Sequence, residues 1–287
     1  MSFTLEQTPH GVDMIVQGEW SADAKKSLLK GHADGLVLNY ARGFRGRDLK
    51  FLDGLPIARL KVLARTLADL SPIYALADGL VSLRVQSDPR AIIELERLPQ
   101  IQTLSATWGQ VQGSLRFAQR LEQLFLLSYS ETDLSPLTAI PTLVSVVMKD
   151  YPRVKSLDGI EELPLLEVLG IHLAKALSDI TALRRSSPDL KTLQLPSCRK
   201  VVDVAPVSAC TSLRFFELSE GGNLLTVAPL SGLQGLERLY LYGSTSVIDG
   251  DLSAIARLPN LRDFRMVDRR WYAPSVKEIE NTVAPRV

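Results

Sequence analysis

The sequence predicts a right-handed α/β solenoid of about eleven short repeats. Each repeat lays one strand into a parallel sheet on the concave face and returns through short 3-10 or irregular turns on the convex face. Two observations carry this prediction. First, an apolar triplet spaced Leu-x-x-Leu-x-Leu recurs along the chain: Leu121, Leu124 and Leu126; Leu143, Val146 and Met148; Leu166, Leu169 and Ile171; Leu190, Leu193 and Leu195; Leu213, Phe216 and Leu218; Leu236, Leu239 and Leu241. With the first apolar residue of each triplet as position 1, repeats start at Ala33, Ile57, Leu80, Ile101, Leu121, Leu143, Leu166, Leu190, Leu213, Leu236 and Leu261. The spacings of 20 to 25 residues mark a stacked array, because one such unit cannot bury its apolar face alone. Second, a further apolar set follows each strand, often after Asp or Pro, as with Leu134, Leu137 and Ile140, or Val204 and Val207. Pro136, Pro206 and Pro229 lie in this return half, where proline limits helix length.

The elements follow in order. Residues 1–32 depart from the repeat: Phe3–Glu6 and Val12–Gln17 read as two strands around Thr8-Pro9-His10-Gly11. Ser21 then starts, and Gly31 stops, a short helix. We expect this segment to cap the first strand edge rather than to be a separate binding element. The repeats occupy 33–270; positions 4 and 6 alternate with polar or variable residues, the period of a half-buried strand, and positions 3, 5, 7 and 8 are read as outward on the concave face. An occasional helical turn is expected, as at 114–120. Residues 271–287 form a C-terminal cap, with Trp271 and Tyr272 covering the last core layer, one or two helical turns at 275–283, and a frayed end.

The triplets, repeated in register over about 33–270, resemble the leucine-rich repeat superfamily, especially its short bacterial internalin-like and SDS22-like classes. That resemblance implies a leucine-rich-repeat solenoid and says little about function, because the scaffold serves unrelated purposes. One feature departs from the family. Position 9, usually Asn or Cys, reads Ala41, Arg65, Asp88, Gly109, Tyr129, Tyr151, Ala174, Cys198, Gly221, Ser244 and Arg269; only Cys198 conforms. Without a polar ladder, the backbone at this turn must bond water or itself.

Composition excludes several classes. Lys and Arg number 33 against 32 Asp and Glu, so no basic excess points to nucleic acid. Two cysteines, Cys198 and Cys210, make neither a disulfide framework nor a zinc site. No signal peptide is readable in Met1–His10, and no apolar run reaches the roughly 18 residues of a membrane span. A cytoplasmic location is expected, with signal-independent export left open.

Catalytic chemistry is not legible. His10 lies in the hairpin turn, His32 ends the cap helix, and only His172 stands at an outward position, with no metal-ligating neighbours. Neither cysteine has a readable base. Gly221-Gly222 is a lone pair of glycines, not a phosphate-binding motif. The basic run Arg-Gly-Phe-Arg-Gly-Arg at 42–47 reads as a solvated loop, with phosphate contact as its functional alternative. We therefore expect no enzyme, no cofactor, no metal and no small-molecule substrate.

The outward positions remain. Tyr40, Arg59, Lys61 and Arg84 make a weakly basic end, and Trp108, Phe125 and Leu127 an apolar patch. Val147, Lys149, Asp150, His172 and Gln194 form a mixed middle, and Glu217 with Glu220 an acidic spot. Arg238, Tyr240, Tyr242, Asp263 and Arg265 close the array. Aromatic residues and Arg are enriched at interface hot spots. The pairs Trp108 with Phe125 and Tyr240 with Tyr242 are therefore the leading contact candidates, although Trp108 has an alternative place under a loop of its short repeat. The expected function is a non-catalytic protein–protein interaction module gripping a protein partner on its concave face, as an immunity, inhibitor or regulatory protein of a bacterial cell. The alternative is a secreted or host-directed effector resembling internalins.

Overall fold

A computed structural model describes residues 2–185 and 189–283. The chain divides into two compact units, Met1–Leu126 and Leu127–Val287.

The first unit opens with β1 (Phe3–Thr8) and β2 (Gly11–Val16), an antiparallel hairpin in which Gly11 takes a φ of 125° at the turn. A helix, α1 (Ala22–Leu29), follows; the Ser21 hydroxyl caps it by accepting from the Ala24 N–H at 3.2 Å. The other edge of β2 pairs in parallel with β3 (Gly35–Asn39), so the hairpin covers the first repeat strand. Then come β4 (Arg59–Leu63), β5 (Ser82–Gln86), β6 (Thr103–Thr107) and β7 (Gln123–Leu127), in chain order across the sheet. Short 3-10 turns at Tyr40–Arg42, Lys50–Leu52, Ser71–Leu76, Leu95–Arg97 and Leu115–Phe117 return the chain.

The second unit continues with β8 (Ser145–Lys149), β9 (Val168–Ile171), β10 (Thr192–Gln194) and β11 (Phe215–Glu217). The two-residue strands β12 (Asn223–Leu224) and β14 (Ser246–Val247) pair with each other beside the main sheet. Between and after them lie β13 (Arg238–Leu241) and β15 (Asp263–Met266), which extend the parallel sheet in the order β8-β9-β10-β11-β13-β15. Each of the eleven repeats thus contributes one main-sheet strand. Its return turns are 3-10 at Ser135–Ala139, Ile160–Glu162, Thr181–Arg185, Ala205–Ala209 and Ala228–Gly232. The proline of three of them stands in the first two residues, where its missing N–H is harmless. A helical turn, α3 (Ser253–Ala256), replaces the 3-10 turn of the next repeat, and α4 (Val276–Val283) ends the described chain. Tyr272 is buried against this end, whereas Trp271 stays exposed. The expected frayed end falls at 284–287, outside the described residues.

Positions 4 and 6 are buried in every repeat, from Leu36 and Leu38 to Phe264 and Met266. The return-half residues Leu134, Leu137, Ile140, Val204 and Val207 are fully buried as well, so both halves of the repeat meet in one core. What starts each return turn is often an Asp. Its carboxylate accepts from the N–H two residues on, as in Asp69 to Ser71 (2.9 Å), Asp133 to Ser135 (2.9 Å), Asp179 to Thr181 (2.8 Å), Asp203 to Ala205 (2.8 Å) and Asp251 to Ser253 (2.8 Å). This is the local bond that makes Asp a turn former.

Three expectations need correction. The helical turn foreseen at 114–120 is the 3-10 turn Leu115–Phe117, while a helical turn unforeseen in the pattern, α2 (Trp108–Val111), stands just before it. Position 8 of that repeat is thereby the first residue of a helix, and Trp108 is drawn inward to 3 % exposure. The turn backbone, expected to find only water or itself, finds side chains from neighbouring positions. Thr245 Oγ1 accepts from the Gly221 N–H (2.9 Å) and donates to the Leu218 carbonyl (2.6 Å); Gln110 Nε2 donates to the Asp88 carbonyl (3.1 Å); Cys198 Sγ donates to the Ile171 carbonyl (3.3 Å). Finally, position 8 in the second unit is a turn position rather than a plain outward one. Ser128, Asp150, Leu173, Ser197 and Glu220 all have φ between 51° and 65°, and Gly243 has φ 74°.

Candidate functional site

The outward face of the second unit is organised by register. Thr192, Phe215, Arg238 and Asp263 share one level across β10, β11, β13 and β15; Gln194, Glu217, Tyr240 and Arg265 share the level two residues on. Adjacent strands lie roughly 4.8 Å apart, so outward side chains at the same level touch. The Phe215 and Tyr240 rings meet edge-on with centroids 4.9 Å apart, and Tyr240 meets Tyr242 at 6.4 Å. Arg238 stacks its guanidinium 4.3 Å above the Phe215 ring, and Arg265 lies 4.5 Å above Tyr240. The Tyr240 hydroxyl donates to Asp263 Oδ2 at 2.5 Å, and Arg265 donates to the same carboxylate at 3.1 Å. That hydrogen bond to Asp263 raises the Tyr240 phenol above its ordinary value. Burial alone would raise the Asp263 carboxyl, but the bonds from Arg265 and Tyr240 hold it below the usual carboxylate value. Three aromatic rings and two guanidinium groups therefore pack on one another. Tyr242 (41 % exposed) and Arg238 present themselves to solvent, while Phe215 (8 %) forms the floor.

Phe215 was absent from the sequence-level candidates. Its position 3 was counted as outward, and the signal that finds it is an aromatic residue at that position beside Tyr240 in the next repeat.

Beside this cluster, Gln194 donates to Glu217 Oε2 at 2.8 Å, and Glu217 is only 9 % exposed, so this glutamate is less available than an outward position suggests. The His172 ring folds over Gly170, where an added Cβ would stand 3.2 Å from Nε2. Burial, with Lys149 adding to it and Glu217 opposing, holds the His172 imidazole below its ordinary value, so it is neutral near pH 7. Lys149 is exposed at the end of β8, and Asp150 occupies the left-handed turn, where its carboxylate accepts from the Ser128 hydroxyl.

In the first unit, Arg84 is exposed at the centre of β5, in register with Lys61. Lys61 and Arg59 both bond Asp13, at 2.8 and 3.0 Å, and Arg59 also bonds Asp34, clamping the hairpin to the first two repeats. Tyr40 is 37 % exposed, and its hydroxyl donates to the Gly46 carbonyl at 3.2 Å. Phe125 is half-buried on β7. Trp108, expected to share an apolar surface patch with it, is buried, so that patch lacks its larger member.

Burial pushes the Cys198 thiol up to about 12, the opposite of an activated nucleophile. Among the described residues, no three or more His, Cys, Asp or Glu are grouped to hold a metal, and no helix is long and apolar enough to cross a membrane.

No protein-family model matches the chain, and no curated protein matches it by sequence. Solved structures do match. An internalin, InlF, from Listeria monocytogenes superposes with a TM-score of 0.59 at 17 % identity, covering 90 % of this chain and 83 % of that one. A leucine-rich-repeat protein from Leptospira interrogans gives 0.55 at 15 % identity, covering 89 % and 71 %. The functional domain of InlJ from Listeria monocytogenes, which includes a cysteine ladder, gives 0.50 at 13 % identity over 72 % and 44 %. The fold is the leucine-rich-repeat solenoid.

Proposed function

We propose that the chain is a non-catalytic protein–protein interaction module, and that the outward face of β11, β13 and β15 is its principal contact surface. The carrying observation is the interlocked set Phe215, Arg238, Tyr240, Tyr242 and Arg265. Tyr and Arg dominate interface hot spots because they combine large apolar area with directional bonds. A cluster already ordered by ring and guanidinium contacts loses little side-chain entropy on binding. The neighbouring Gln194 and the exposed Lys149 supply a polar rim. An immunity, inhibitor or regulatory role in a bacterial cell is the finer reading, and it requires a one-to-one complex with a dedicated protein.

The test uses the whole chain as bait, alongside Arg238→Ala and Tyr242→Ala. Both side chains are exposed, so the fold is expected to survive, as melting will report. The expected result is a stoichiometric partner whose affinity falls about tenfold to a hundredfold in each variant, the range of a hot-spot truncation of about 1–3 kcal/mol. A partner held equally well by both variants removes this face from the site.

A further inference from the structure

The basic run at 42–47 is a built loop whose every residue has a separate task. Arg42 pairs with Glu6, which ties the loop to β1. Gly43 takes a φ of 102°, and its carbonyl accepts from the Gly18 N–H at 2.7 Å, while the Arg45 N–H donates to the Gly18 carbonyl at 2.8 Å. Phe44 is buried at 2 % exposure, with its ring 5.9 Å from Tyr40 and 6.4 Å from Phe51, which itself stacks on Trp20 at 4.3 Å. Gly46 lies flat on the Phe44 ring: an added Cβ would stand 2.4 Å from Cζ. The loop is thus pinned by backbone bonds on one side and by an aromatic anchor beneath, and Arg45 and Arg47 point off it, both exposed.

These two guanidinium groups, like that of Arg65, stand outside the ion pairs that hold the neighbouring arginines. Arg42 pairs with Glu6, Arg59 with Asp13 and Asp34, Arg90 with Asp88, and Arg97 with Glu94. Arg45 and Arg47 make no ion pair among the described residues. The adjacent carboxylate, Asp48, is engaged by the Lys50 N–H at 3.0 Å. Between residues 40 and 66 the chain carries seven basic residues against two acidic ones, although its formal net charge is only +1. Three of these, Arg42, Arg59 and Lys61, are paired with Glu6, Asp13 and Asp34, which leaves Arg45, Arg47, Lys50 and Arg65 as the local excess. Arg45 and Arg47 line a cavity of about 420 Å3 with Tyr40, Gly43, Phe44 and Thr66. The Tyr40 and Thr66 hydroxyls lie 3.1 Å apart in its wall. A second cavity of about 280 Å3, holding Arg65, adjoins Tyr40.

We propose that this cavity binds the phosphoryl group of a small phosphate-bearing molecule. Arg45 and Arg47 supply planar donor forks that match phosphate oxygens, and the Thr66 hydroxyl, by turning from Tyr40 Oη, supplies one further hydrogen bond. Its volume falls in the range of small-molecule sites. The basic excess is confined to one loop and cavity, whereas nucleic acid requires an extended basic stripe. The loop needs no reordering to bind, because its backbone is already fixed.

Isothermal titration calorimetry of the full chain at low ionic strength, with inorganic phosphate and with phenyl phosphate as probes, tests the proposal. The expected result is saturable one-site binding that weakens at least about tenfold in Arg45→Ala/Arg47→Ala and stays unchanged in Arg90→Ala, a size fitting the loss of two charge-assisted contacts. Both loop side chains are exposed, so melting temperature should not move. Arg45→Lys/Arg47→Lys, which keeps charge and loses the fork, should bind with intermediate affinity. Equal affinity for both probes identifies free phosphate as the ligand, and tighter phenyl phosphate binding identifies an ester. Absence of saturation by either probe, or unchanged affinity in the double alanine variant, overturns the proposal. The outcome is independent of the protein-binding face of the second unit.

Discussion

Single residues decide where this chain departs from a regular repeat. Thr245 is the clearest case: fully buried, its hydroxyl both accepts from the Gly221 N–H and donates to the Leu218 carbonyl. Thr245→Val keeps the shape and removes both bonds. It should cost about 2–4 kcal/mol, because each buried group left unpaired costs about 1–3 kcal/mol and some relaxation is available. Urea unfolding measures this directly, and a loss under about 0.5 kcal/mol would show that the hydroxyl is not needed. Leu173 is the converse. It is 37 % exposed and holds a φ of 63°, a region that costs a branched apolar residue roughly 1 kcal/mol or more and that Asn enters readily. Leu173→Asn should therefore be neutral to stabilising by up to about 1 kcal/mol, and a drop in melting temperature would refute the strain argument. Neither residue was legible in the sequence. Thr245 sits one place past the position where a ladder residue is sought. Trp108 was misplaced for a related reason: position 8 was counted as an outward residue following the strand, which lapses once Gln110 Oε1 accepts from the Thr107 N–H and starts a helix.

At the scale of elements, the strands were legible and the turns only half so. A period-two apolar pattern locates all eleven repeat strands because burial on one face is enforced residue by residue. The hairpin, its glycine and the Ser21-capped helix follow from equally local chemistry. The return turns were recognised as proline-bearing, but their common device, the leading aspartate, was noted without its bond. That device has a pH consequence. The hydroxyls of Ser71, Thr181 and Ser253, followed by their N–H groups, hold the carboxyls of Asp69, Asp179 and Asp251 below the ordinary value, and Arg59 does the same for Asp34. A depressed folded value means that the contribution is present in full above the unfolded value near 3.9 and is lost as pH falls through the folded values. From these carboxylates stability should fall below about pH 4, while His172, whose folded imidazole is held below its ordinary value, adds a separate loss as pH falls below about 6.5. Asp179→Asn can keep the turn bond and cannot titrate. Its loss of stability on acidification should be smaller than that of the natural chain, and an identical acid profile would exclude Asp179 from the effect.

For the whole molecule, the repeat converts a search for a pocket into a search for outward side chains, and that is as far as pattern reaches. Pattern names Tyr240, Tyr242, Arg238 and Arg265 as outward, but their mutual stacking, and Phe215 beneath them, come from register between repeats more than 20 residues apart. Likewise the Arg-Gly-Phe-Arg-Gly-Arg run reads as a solvated loop until the pairing of Arg42 with Glu6 and the anchoring of Phe44 separate its bound residues from Arg45 and Arg47. The chain then carries two surfaces of different chemistry, an aromatic and guanidinium face in the second unit and an anion-receiving cavity in the first. They share no residue, and mutations with no shared partner act additively. Tyr242→Ala should abolish most partner affinity and leave phenyl phosphate binding at its natural strength; Arg45→Ala/Arg47→Ala should do the reverse. If the loop variant instead weakens both equally, the arginines contact the protein partner itself, and the cavity belongs to the interface rather than to a separate ligand.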